Sequence, residues 1–86
     1  SVTVQPGVNL AQVDGAAANA TYAIAFCRFG AGTAGCVAAG TLTTNNEGDG
    51  QTQLGFSPAG PVAGVFVFSR NINGASSAEL VTGFRP

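Results

Sequence analysis

Ala20-Thr21-Tyr22-Ala23-Ile24-Ala25-Phe26-Cys27-Arg28-Phe29 is the stretch on which the fold turns. Tyr22, Ile24 and Phe26 fall on one side of an extended chain, and Ala23, Ala25 and Cys27 on the other. A period of two is what a strand with one covered face imposes. Large apolar side chains line one face and small ones the other, so this strand packs against a core on a single side.

Working outward, similar runs recur between turn signals. Upstream, residues 1–5 align Val2 with Val4 and stop at Pro6-Gly7, and residues 8–13 end at Asp14-Gly15. The alanines of 15–20 are too few for a helix and read as a turn between strands. Downstream, a loop of small residues (30–35) leads into a returning strand over 36–44, and Asn45-Asn46-Glu47-Gly48-Asp49-Gly50 is a dense turn signal.

Residues 51–56 follow, with Thr52, Leu54 and Phe56 aligned, and Pro58 and Pro61 break the chain again. Residues 62–70 are apolar on both faces, the pattern of a central, doubly covered strand. We read 71–77 as a polar loop and 78–85 as the last strand, with Leu80, Thr82 and Phe84 aligned. The expectation is a single all-β domain over residues 1–86, with about seven antiparallel strands in a small β-sandwich. A small closed barrel is the alternative.

The chain has 86 residues, which limits it to one thin core. Charged residues make up only 8% of it, against about 25% in ordinary soluble domains. It holds three arginines, no lysine, no histidine and four acids, for a formal charge of −1. Cys27 and Cys36 are its only cysteines. In so short and uncharged a chain they read as a disulfide made in an oxidising compartment, the alternative being two buried free thiols.

The start of the chain carries no basic segment followed by an apolar one. It opens directly on a strand-like pattern, which we read as a mature form after signal-peptide removal. The expected location is therefore extracellular or on the cell surface.

Without histidine or lysine, the bases that activate a serine or cysteine nucleophile are missing, and we expect no enzyme. Asp14, Glu47, Asp49 and Glu79 read as solvated turn and strand residues rather than paired catalytic carboxylates. Two cysteines are too few for a zinc site, and the oxygens of Asn45, Asn46, Glu47 and Asp49 lack the register of a calcium loop, so we assign no metal and no cofactor. Three arginines give no footprint for nucleic acid, and no apolar run approaches the ~20 residues of a membrane span.

Across residues 20–56 the order Tyr22-x-Ile24-x-x-Cys27, Cys36, Thr41-Leu42-Thr43-Thr44, a Gly/Asn/Asp turn and an alternating strand resembles secreted bacterial immunoglobulin-like domains. More narrowly, it is similar to the enediyne antibiotic-carrier apoproteins of the neocarzinostatin type. The resemblance implies a small immunoglobulin-like sandwich with a disulfide across a comparable pair of strands. It also implies a cleft for an apolar small molecule.

Two functional expectations follow. The leading one is a non-catalytic, secreted structural protein whose partner is itself, forming an extracellular filament, pilus-like fibre or surface coat. A neutral surface can meet its own copy without desolvating ions, and no lysine guards a sheet edge. Ser1, Val2, Thr3, Val4 and Gln5 are the candidate assembly strand, either adding to a neighbour's sheet or pairing within their own.

The alternative is a small secreted binding module for an apolar small molecule or glycan, with Phe29, Phe56 and Phe84 as candidate contacts. Asn19-Ala20-Thr21 also fits the N-glycan acceptor pattern at Asn19.

Overall fold

The computed structural model describes residues 2–5, 9–29, 35–55, 64–72 and 75–84. Every regular element spanning these residues is a strand: β1 (Val2–Gln5), β2 (Leu10–Val13), β3 (Thr21–Arg28), β4 (Cys36–Thr43), β5 (Gly50–Gln53), β6 (Gly64–Ile72) and β7 (Ala75–Phe84). They form two antiparallel sheets, one ordered β1-β2-β5 and the other β4-β3-β6-β7.

The alternation in β3 places the core. Tyr22, Ile24 and Phe26 are buried, and Phe68 and Phe66, the β6 partners of Ile24 and Phe26, are buried beside them. The Phe26 and Phe66 rings meet at 5.0 Å in a tilted arrangement, a favoured geometry for aromatic pairs. Ala11 and Val13 of β2, Leu42 of β4 and Leu54 just beyond β5 join the same cluster, and Val2 and Val4 of β1 pack against it. Both sheets therefore feed one apolar core.

Two expectations are corrected. Residues 71–77 are not a polar loop: β6 runs on to Ile72 and β7 begins at Ala75, with Asn71 opposite Ser76 and Ile72 opposite Ala75. Nor is β6 covered on both faces. It is central, between β3 and β7, but Val65 and Val67 are only half-buried while Phe66 and Phe68 are fully enclosed.

Both outer strands of the larger sheet carry a β-bulge. Ala25 pairs with Ala38 and Ile24 with Gly40, so Ala39 is the extra residue of β4. It turns inward, is buried, and its carbonyl accepts the Gly55 N–H at 2.9 Å, which links the two sheets. On β7 the register shifts at Glu79, between Leu80 opposite Phe68 and Ala78 opposite Ser69. A bulge kinks and twists an edge strand and spoils it as a template for another chain.

Candidate functional site

The sequence-nominated residues fall at three places. The first is the Cys27 end of the larger sheet. Cys27 and Cys36 form a disulfide, and they stand directly opposite one another in the β3–β4 ladder. Both are half-buried on the face turned away from the core. The bridge points to an oxidising environment.

Arg28 and Phe29 lie at the same end, and Phe29 is 54% exposed. Arg28 pairs with Gly64, which in turn pairs with Phe84, so the backbone of Phe84 reaches the same end as Phe29. The side chain of Phe84 and the whole of Phe56 lie outside the described residues. Gly64 is needed at this crossing, because a Cβ there would meet the Cys27 carbonyl oxygen and come within 2.7 Å of the Phe26 ring.

The second place is the smaller sheet. Within the chain, Val2, Thr3, Val4 and Gln5 pair with β2, with Val2 opposite Val13 and Gln5 opposite Leu10. Ser1 lies outside the described residues. Gln12, Gln51 and Gln53 lie on the solvent side of this sheet, with Gln12 opposite Gln51 and Gln53 opposite Leu10, and the backbone of Gln5 stands opposite Leu10 from the other strand. Gln12 Nε2 donates to Gln51 Oε1 at 3.1 Å across the strands.

The third place is the opposite end of β3, where the turn over 14–20 meets the turn over 44–50. Sequence reading marked both turns but not their docking. Thr44 is buried, and its hydroxyl accepts the Ala20 N–H at 2.9 Å while donating to the Ala17 carbonyl at 2.6 Å. The Ala17 N–H donates to the Tyr22 hydroxyl at 3.2 Å, so this one tyrosine is both core and cap.

Asn45 closes its own turn: its Oδ1 accepts the Glu47 and Asp49 N–H groups at 2.9 and 3.0 Å. Its carbonyl accepts the Asn19 N–H at 2.9 Å, the Gly48 carbonyl accepts that of Ala16 at 2.9 Å, and Asp49 Oδ1 accepts that of Gly15 at 3.1 Å. Two of the oxygens considered for a cation loop, Asn45 Oδ1 and Asp49 Oδ1, thus serve as caps for backbone donors. Among the described residues no group of three or more His, Cys, Asp or Glu side chains could hold a metal ion.

Asn19 sits in this end, exposed, at the turn that enters β3, with φ at 50°. Thr21, two residues on, is also exposed, its hydroxyl 3.2 Å from that of Thr43.

The solvent face of the larger sheet is the broadest feature. Its register rows read Thr41–Ala23–Ser69–Ala78, Ala38–Ala25–Val67–Val81 and Cys36–Cys27–Val65–Gly83. No position in these rows is charged. Among the described residues no helix is long and apolar enough to cross a membrane. No family model, curated protein or solved structure matches the chain.

Proposed function

We propose that the chain is an immunoglobulin-like β-sandwich of a secreted, non-catalytic structural protein, and that it works by packing against copies of itself in a filament, fibre or coat. The observation that supports this most is the set of three uncharged register rows above, on the solvent face of the larger sheet. Its described side chains, among them Ala23, Ala25, Val65, Val67 and Ala78, are small or β-branched and uncharged, so burying them desolvates no ion. The disulfide supports an oxidising, extracytoplasmic setting.

The structure shapes how such packing would occur. β1 is already paired with β2, and both edges of the larger sheet are bulged. These features favour face-to-face packing over strand addition as the joint. Light scattering and negative-stain microscopy of the purified protein test the reading. Extended assemblies are expected, and Ala23→Glu combined with Val67→Glu should dissolve them. A discrete particle of 8.4 kDa at all concentrations would overturn it.

One observation favours the second reading, a binding module for a neutral glycan. Gln12, Gln51 and Gln53 on the solvent side of the smaller sheet carry amide groups, and Leu10 offers a half-buried apolar surface beside them. Such a face suits hydroxyl-rich, uncharged ligands. Retention on insoluble neutral polysaccharides that is lost in Gln12→Ala with Gln51→Ala would support it, and no retention would remove it.

A further inference from the structure

We propose that Asn19 is an N-glycan acceptor when the chain passes through a compartment holding an oligosaccharyl transferase. Of six asparagines, at positions 9, 19, 45, 46, 71 and 73, Asn19 alone has a hydroxyl residue two positions on. A three-residue match means little unless the site is a surface turn of a chain made in an oxidising compartment. The structure supplies each of those conditions separately.

Asn19 is exposed, and so are Ala18 before it and Asn45, Asn46 and Glu47 across the turn. These exposed residues form an open rim around the acceptor, and among them none is bulky and apolar. The backbone under the acceptor is firmly held, since the Asn19 N–H donates to the Asn45 carbonyl at 2.9 Å and the Ala20 N–H to the Thr44 hydroxyl at 2.9 Å. Its φ of 50° is a conformation that asparagine tolerates better than most residues. The hydroxyl residue, Thr21, is exposed at the first position of β3, and the disulfide marks the compartment.

The chemistry is a transfer without redox change. The Asn19 side-chain nitrogen forms a bond to the anomeric carbon of a lipid-diphosphate-linked oligosaccharide. The bond from that carbon to the diphosphate oxygen breaks, the amide loses one proton, and the lipid diphosphate leaves. The product adds a bulky hydrophilic group at the end of the molecule away from the disulfide.

The full chain, carried behind a cleavable signal peptide through a eukaryotic secretory pathway, tests this by intact mass without reduction. The secreted protein should be heavier than its polypeptide, and peptide N-glycosidase should remove the excess. Thr21→Ser should keep the added mass, and Thr21→Ala should lose it. Asn19→Asp should also lose it, while retaining a residue type suited to the positive φ, so that loss there is not a failure to fold. A secreted, disulfide-bonded chain of bare polypeptide mass would overturn the proposal. So would an added mass that survives Asn19→Asp.

Discussion

The two ends of β3 are tied to the rest of the molecule by opposite means. At the Thr21 end, N–H groups of Gly15, Ala16, Ala17, Asn19 and Ala20 each find an acceptor on Tyr22 or on the 44–49 turn. At the Arg28 end, a single covalent bond joins Cys27 to Cys36. The first tie is directional and distributed, and it fails if any one surface loses its fit. The second acts on the unfolded chain, by shortening a loop, and asks little of its surroundings. A thin core needs both, because burial alone leaves a domain of this size marginal.

The largest effect is expected where the distributed tie has no slack. Gly48 is buried with φ at 81°, and a Cβ on it would overlap the backbone of Ala16. Gly48→Ala should therefore separate the two turns and cost about 3 kcal/mol or more in urea unfolding. Gly15, in the facing turn, is the control. Its φ is 69°, but a Cβ there has nothing within 4 Å, so Gly15→Ala should cost only about 1 kcal/mol for its backbone conformation. Equal losses at the two glycines would show that φ alone matters and that the turns are not tightly docked.

β3 and its return as β4 were legible in the sequence, because the large residues of β3 repeat every second position and the turns are rich in Asn, Asp and Gly, whereas the pairing of β3 with β6 was not. Nor were the bulges at Ala39 and Glu79. A one-residue excess exists only relative to a partner strand, and nothing within either strand encodes it. The 71–77 segment misled for a related reason: Asn71, Ser76 and Ser77 are polar, yet they continue the ladder of the β6–β7 hairpin.

The docking of the turns escaped as well. Thr44 looks like any strand threonine until topology brings the Ala17 carbonyl within 2.6 Å of its hydroxyl. Of the site residues, the cysteines were readable from composition, whereas the gathering of Gln12, Gln51 and Gln53 on one face depends on the register of β2 with β5.

The covalent tie gives the next effect. Replacing both cysteines, Cys27→Ser with Cys36→Ser, removes a cross-link between residues nine apart in sequence. In the chain-entropy account, closing so short a loop stabilises by roughly 2–3 kcal/mol. The double variant should lose about that amount, with a lower melting temperature. Its β3–β4 ladder should persist, because the buried Tyr22, Ile24 and Phe26 hold β3 through contacts that do not involve the bridge. Amide hydrogen exchange separates the two ends. Protection should fall at Cys27 and Val37 and hold at Thr43 and Thr44. A uniform fall would mean that the ends are one cooperative unit and that the contrast between them has no energetic meaning.

Thr44→Val gives the smallest of the three effects and is the sharpest probe of the polar end. Valine keeps the shape and β-branching of threonine and removes only the hydroxyl. The Ala20 N–H and the Ala17 carbonyl then lose their shared partner in a position only 4% exposed. The Ala20 carbonyl still accepts the Thr44 backbone N–H at 2.8 Å, so the chain path need not change. A buried group left without its partner costs about 1–3 kcal/mol, and the added methyl recovers part of that through burial. We expect a net loss of about 1–2 kcal/mol, with exchange accelerated at Ala17 and Ala20 and unchanged at Cys27. Combined with the cysteine replacement, the two losses should add, because the sites share no partner and lie at opposite ends of one strand. A combined loss well above the sum would show that the hydroxyl and the disulfide act on the same opening of β3.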